Sequence, residues 1–351
     1  MVGAVAPQLR CLGPVMEDHT TEARLAITAA ALSGDSGSLY HIVSGLLGEG
    51  VSFESVLFDL LIPTEREVGH RWQTGDYLVS EEHAATAAIE TAISVLAGAF
   101  DRPEDGKRVV VAAAEGDNHS LPGRAVNAHL LSLGYRTTFL GASVLSSDLR
   151  EYLLAEQPEA VVLSCAMTTY LLGARHGIRE SHDAGIPVLV GGAAFGPEGA
   201  WADVLGADEW VASPRQVPET LETWQPDPSR AEAGAHNPSP ELLDLVSRRA
   251  AIIGRAQQQF EDQVGGQRDP RLAETLSLLL GAVEASLLVG EASLAAEQLK
   301  WQRATLSAHG WDVSEGLVDS MLRALTEVSP SAAAILSRSA EMESRGSPDA
   351  G

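Results

Sequence analysis

Over the first hundred residues the apolar positions recur at helical spacing. Leu25, Ile27 and Ala30 start the pattern, and Leu39, Ile42, Val43, Leu46 and Leu47 continue it. Val56, Leu57, Leu60 and Leu61 come next, then Ala84, Ala88, Ile89, Ala92, Ile93 and Leu96. Between these stretches lie Ser33-Gly34-Asp35-Ser36-Gly37, Gly48-Glu49-Gly50 and Thr74-Gly75-Asp76, residues of tight turns. The pattern predicts a four-helix bundle over residues 21–103, behind a tail of residues 1–20. Its last helix is predicted to start at Ser80, with Glu81 and Glu82 in a first turn where negative charge suits the helix dipole.

From 104 to 214 short β-branched runs alternate with helical stretches. Strands are expected at Lys107–Ala112, Arg136–Leu140, Ala160–Ser164, Pro187–Val190 and Glu209–Val211. Helices are expected from Pro122, Ser146 and Leu171 and near Ala200. Strands joined by helical crossovers predict a doubly wound, five-stranded parallel sheet of flavodoxin-like type. Ligands of such sheets bind beyond the carboxyl ends of the strands, where the strand order switches. That directs attention to residues 115–123, 164–169 and 191–195. Residues 215–240 are rich in Pro, Glu, Ser and Ala and are expected to be a linker. Stripes such as Leu242, Leu245, Ile252, Ala256 and Phe260, then Leu272, Leu276, Leu279, Leu280 and Val283, predict a C-terminal helical domain over 241–340. Residues 341–351 complete the chain as a tail.

Composition narrows the function classes. Apolar residues are 45% and charged residues 21% of the 351, an ordinary globular balance. A net charge of −24 excludes a nucleic-acid backbone as the main partner, because such binding needs a basic surface. No uninterrupted run of 18 apolar residues predicts a membrane span, and no basic start followed by an apolar core predicts a signal peptide. Cys11 and Cys165 alone provide no disulfide framework, so a cytoplasmic setting is expected.

The chemistry collects on three strand-end loops. The first reads Glu115-Gly116-Asp117-Asn118-His119-Ser120-Leu121-Pro122-Gly123. An imidazole with a carboxylate two residues earlier suits a metal ligand oriented through its other ring nitrogen. Taken alone, it suits a solvated surface pair as well. The other loops carry Ser164, followed by Thr168 and Thr169, and the pair Gly191-Gly192. Small residues at neighbouring strand ends leave a slot where a ligand approaches the backbone.

Together these loops resemble the cobalamin-binding domain, with its Asp-x-His-x-x-Gly, Ser-x-Leu and Gly-Gly motifs. The resemblance implies that His119 is the lower axial ligand of cobalt, with Asp117 as its hydrogen-bonding partner. It also implies that Ser164, Thr168, Gly191 and Gly192 line the nucleotide tail. The chain departs from the pattern at Pro122, where the glycine comes one place late as Gly123, and at Ala166, where leucine is usual. In front, Trp72 and the Glu82-His83 pair stand in the spacing Trp-x9-Glu-His. For an isolated bundle this is a helix-end tryptophan with two capping polar residues. Before a cobalamin domain it resembles the light-sensing adenosylcobalamin proteins of the CarH type. There the bundle caps the corrin, so Trp72, Glu82 and His83 would enclose the adenosyl group. That family traps lit cobalt with a histidine directly after the tryptophan; here the residue is Gln73, a poor cobalt ligand. The resemblance covers about residues 21–214, and only some 20 residues precede the bundle, so a DNA-binding repressor is not expected.

The third block offers Trp301, Arg303, His309 and Trp311. Cations that pair with propionates and rings that stack would suit a flat acidic chromophore, or else these are core residues at a helix end. Bundle, cobalamin domain and helical domain in this order resemble the photocobilins, which combine cobalamin with a bilin such as biliverdin. The expectation is a light sensor and not an enzyme, holding adenosylcobalamin and a bilin. It would signal through a light-dependent homo-oligomer or a downstream protein. The rivals are a corrinoid protein that shuttles methyl groups for a methyltransferase, and a sensor of cobalamin concentration.

Overall fold

A computed structural model describes residues 14–226, 238–264, 269, 271–311 and 315–346. These residues form two compact units, one built from the first helices and one from the rest of the chain.

The first unit contains α1 (Pro14–Leu32), α2 (Ser36–Gly48), α3 (Phe53–Ser55), α4 (Ile62–Gln73) and α5 (Val79–Ala97). Between α3 and α4 the backbone winds as a π-helix over Val56–Leu61, so Phe53 to Gln73 is one continuous rod. Four rods therefore stand where four helices are predicted. Their apolar stripes, with Ile27, Leu39, Val43, Leu57, Leu61, Ile89 and Ile93 fully buried, make the core. One start point differs from expectation. The cap of α5 is Leu78, whose amide N–H donates to Glu81 Oε2 at 2.7 Å, and Ser80 already lies inside the helix. A carboxylate three residues on satisfies the orphan amide as well as a hydroxyl would.

The second unit contains the sheet: β1 (Arg108–Ala113), β2 (Arg136–Phe139), β3 (Ala160–Ser164), β4 (Val188–Gly191) and β5 (Glu209–Val211). All pairings are parallel and the order is β2-β1-β3-β4-β5. Its crossovers are α6 (Leu121–Ser132), α7 (Ser146–Glu156), α8 (Leu171–Asp183) and α9 (Ala200–Leu205). Strands buried on both faces read as unbroken apolar runs, as Val109–Ala113 does. The order reverses between β1 and β3, so the loops after these two strands flank the switch point.

The expected linker begins later than residue 215. Residues Val217–Thr223 form α10, which buries Val217 and Leu221, while Tyr135 donates to Glu222 at 2.6 Å. Burial overrides the Pro- and Glu-rich composition here. The rest of the expected linker, 227–237, lies outside the described residues.

The helical domain comprises α11 (Pro240–Ser247), α12 (Arg249–Gln263), α13 (Arg271–Val289), α14 (Ser293–Ala308), α15 (Glu315–Thr326) and α16 (Pro330–Gly346). The expected tail from 341 is partly helix, and Glu343 of α16 pairs with Arg303 at 2.6 Å. By length and composition α13 alone among the described residues would cross a membrane. It is instead the hub of a core in which Leu272, Leu276, Leu279, Leu280 and Val283 are fully buried. Ala285 of α13 and Leu294 of α14 enter the sheet's own core, so the helical domain and the sheet are one packed body.

Candidate functional site

The loop after β1 carries His119, and its geometry follows from one buried carboxylate. Asp117 is fully buried. Its Oδ1 accepts from the His119 backbone amide at 3.0 Å and lies 2.6 Å from His119 Nδ1, while Oδ2 accepts from Ala166 N–H at 2.6 Å. A carboxylate held this way fixes the ring and its tautomer: Nδ1 carries the proton, and Nε2 presents its lone pair on the side away from Asp117. The His119 side chain is half exposed. Among the described residues no three His, Cys, Asp or Glu side chains gather as a metal cluster. A single imidazole of this kind suits a metal that arrives already held by a macrocycle.

Sequence reasoning missed the staple that shapes the loop. Ser143 adopts φ +48, a left-handed conformation unusual for serine. Its hydroxyl accepts from Gly116 N–H at 3.1 Å and its own N–H donates to the Asp117 carbonyl at 2.8 Å. The positive φ is the price of placing both groups at once, and no sequence pattern announces it.

The slot beside the loop can be tested for a nucleotide tail. Ser164 Oγ, at the end of β3, is buried with no hydrogen-bond partner, and so is Thr169 Oγ1. Each such hydroxyl costs free energy until a ligand or water satisfies it. Gly123 lies over this place: a Cβ there would sit 2.9 Å from the Phe139 ring and 3.5 Å from Ser164 Oγ. The displaced glycine after Pro122 therefore still lines the slot, because α6 begins at Leu121 and carries Pro122 in its first turn. Gly191 pairs with Ser164 across the sheet. Gly192, at φ +115, is required by the fold itself, since a Cβ would fall 2.1 Å from the Cys165 carbonyl oxygen. Thr168 is half-buried and opens the turn Thr168–Tyr170. The residues present fit a base-off cobalamin: an oriented imidazole, an unsatisfied hydroxyl and side-chain-free strand ends. A hollow of about 190 Å³ lined by Arg108, Arg136 and Tyr152 opens at the amino ends of β1 and β2, the other edge of the sheet.

The bundle holds the second set. Glu82 and His83 are in direct contact through Glu82 Oε2 and His83 Nδ1, with His83 largely exposed. Thr86 Oγ1 donates to Glu65 at 2.5 Å and lies 3.1 Å from Glu82 Oε1, which links α4 to α5. Trp72 is half-buried seven residues after Glu65, hence two turns on along the same face of α4. Glu65 and Thr86 were not foreseen; the seven-residue step from Glu65 to Trp72 could have pointed to the first.

The third expected set does not form one cluster. Trp301 and Arg303 stand two residues apart on α14, which separates them by about 200° around the axis. Arg303 pairs with Glu343, and Trp311 lies under the Arg271 guanidinium at 4.5 Å. His309 caps the end of α14. A buried polar stripe of α14 borders the Trp301 side of the helix and lies away from Arg303. Gln298 Nε2, Gln302 Oε1 and Thr305 Oγ1 are buried without hydrogen-bond partners.

Two B12 binding domain family models match the chain, one over residues 107–217 and another over 24–97. Trimethylamine corrinoid protein 2 of Methanosarcina acetivorans is 30% identical over 155 residues, 40% of this chain and 68% of that protein. Trimethylamine corrinoid protein 1 of the same organism is 29% identical over 166 residues, 43% of this chain and 73% of that protein. The HTH-type transcriptional repressor CarH of Myxococcus xanthus is 30% identical over 148 residues, 41% of this chain and 47% of the repressor. The match thus spans about half of the repressor.

Proposed function

The chain belongs to the family of cobalamin-binding proteins, and from that premise we propose that it is a light sensor which holds adenosylcobalamin through His119. When bound, this cofactor supplies a cobalt–carbon bond that visible light breaks. The carrying observation is the Asp117–His119 pair, with Asp117 buried and the His119 side chain half exposed. Asp117 keeps the imidazole in the donor tautomer. Ser164 and Thr168, beside Gly123, Gly191 and Gly192, receive the displaced nucleotide tail.

Light sensing, as opposed to methyl shuttling, is supported by Trp72 and the His83–Glu82–Thr86–Glu65 chain of contacts. An indole stacks on a purine, and carboxylate and imidazole take its polar edges and the ribose hydroxyls. Once the adenosyl group is lost, these side chains lose their partner. A difference of a few kcal/mol between filled and empty states is enough to switch a packing or an oligomer. Gln73 would be a weak donor to cobalt, so after light has acted water or another group would have to serve in its place. The chain then acts without catalysing a reaction, and its partner is a second copy or a downstream protein.

The third domain, on this reading, holds a bilin such as biliverdin, which extends absorption to the red. Support comes from Gln298, Gln302 and Thr305, whose buried unsatisfied atoms recur at i, i+4 and i+7 on one helix face. Lactam carbonyls and N–H groups are complementary to such amides and hydroxyls.

The rival is a corrinoid protein carrying methyl groups to a methyltransferase, which the methylamine relatives favour as strongly as CarH favours the sensor. Spectra of the protein mixed in the dark with adenosyl- or methylcobalamin, before and after green light, decide between them. Binding of the adenosyl form, bleached by light with a change in elution volume, is expected. Preference for the methyl form with no change in assembly would establish the rival.

A further inference from the structure

His119 is presented by the loop 115–119, and that loop is gripped from two sides. Ser143 holds it on one side through the Gly116 amide and the Asp117 carbonyl. On the other side the Tyr170 ring lies flush on Gly116, with Cδ1 only 3.2 Å from where a Cβ would be. Gly116 itself has φ +89, a conformation that glycine takes without cost. Burial, and next the charge of Asp117, raise the Tyr170 phenol pKa, so the ring is a neutral wedge. Tyr170 closes the turn Thr168–Tyr170, and α13 of the helical domain packs on that same turn. A Cβ on Gly281 of α13 would lie 2.8 Å from the Thr169 carbonyl oxygen, so the two backbones touch. One turn therefore meets the His119 loop with Tyr170 and the third domain with Thr169.

We propose that Tyr170 is a positioning residue for His119, and that through it α13 sets how firmly the imidazole is presented to cobalt. The proposal rests on His119 as the axial ligand. Its physical basis is that the loop cannot give way: Asp117 is tied to Ala166 and Ser143, and Gly116 to Ser143. A shift of Thr169 by a few tenths of an ångström is then transmitted by the Tyr170 ring to Gly116, two bonds of backbone from Asp117. A ligand or a repacking in the helical domain, acting on α13, would reach the metal ligand by this path. It gives the third domain a means of addressing the cobalamin site.

The test uses the full chain as wild type and as Tyr170→Ala, Tyr170→Phe and Gly281→Ala. Each protein is titrated with hydroxocobalamin and followed by absorption. The cobalamin-free proteins are compared by nitrogen NMR of the His119 ring. Tyr170→Ala should weaken cobalamin about tenfold, as loss of an orienting neighbour of a metal ligand does. It should also raise the pH at which the imidazole leaves cobalt and shift the free His119 ring signals. Tyr170→Phe, which keeps the wedge, should match wild type. Gly281→Ala should move the same readouts in the same direction, although it touches no residue of the loop. If Tyr170→Ala does not fold, Gly281→Ala decides alone. Unmoved His119 signals and unmoved affinity in the folded variants overturn the proposal while leaving a histidine-ligated wild type intact. A wild type without a histidine-ligated spectrum removes the axial ligand, and this proposal with it.

Discussion

His119 leans on Asp117 in the sheet unit and His83 on Glu82 in the bundle, and the two pairs are built differently. Asp117 is fully buried and receives three N–H groups from two loops, so the His119 ring has one orientation. Glu82 is a chain neighbour of His83 on one helix, its side chain is partly exposed, and its remaining contact is the Thr86 hydroxyl. The first pair is a rigid mount and the second an adjustable surface. For the proposed sensor, the first would suit a metal ligand that stays fixed while light acts, and the second a contact that can let go.

The largest effect should fall on the mount. His119→Ala is expected to lose the histidine-ligated spectrum and at least about a hundredfold in cobalamin affinity, measured by titration in the dark. Unchanged affinity would mean that cobalt takes its lower ligand elsewhere. Asp117→Asn should cost about 10- to 100-fold, because Ala166 N–H and the His119 amide would then face an amide in place of a carboxylate. A loss below threefold would show that burial of Asp117 serves packing alone.

Below these stands a stability effect confined to the sheet unit. Burial pushes Glu284 up to about 7, against the opposing charge of Arg249. Between its ordinary value and pH 7 the folded state therefore binds the extra proton, and stability falls as pH rises through that window. Unfolding free energies from urea titrations at pH 5 and pH 8 should differ by the order of 2 kcal/mol in that direction. Glu284→Gln should flatten the slope, and a rise in stability with pH would refute the assignment.

The smallest effect belongs to the adjustable surface. Glu82→Gln should weaken adenosylcobalamin about fivefold, as an exposed pair worth about 1 kcal/mol allows, and leave methylcobalamin unaffected. Equal losses for both cofactors would remove Glu82 from the adenosyl site.

Legibility in the sequence followed period and motif. Helical spacing marked the bundle, and apolar runs marked the buried strands, because each element buries a face of fixed period. Asp117 and His119 drew attention because they stand two residues apart on one strand-end loop, and Ser164 because it ends the neighbouring strand β3. What stayed hidden depends on three-dimensional closure. Ser143 works through a positive φ, Tyr170 through a glycine that it covers, and α10 through burial that contradicts its loop-like composition. Trp301 and Arg303 are close in the chain but point to different sides of α14, so nearness in sequence did not put them on one face.

One nitrogen atom, Nε2 of His119, is the proposed ligand, and resonance spectroscopy can identify it. Protein grown with nitrogen-15 histidine and loaded with unlabelled cob(II)alamin should show a two-line nitrogen splitting of the cobalt signal in place of three. The three-line pattern of natural nitrogen-14 should return when the histidine is unlabelled, and His119→Ala should abolish the two-line form. A three-line pattern that persists in the labelled protein would come from the cofactor's own base, and would contradict ligation by His119.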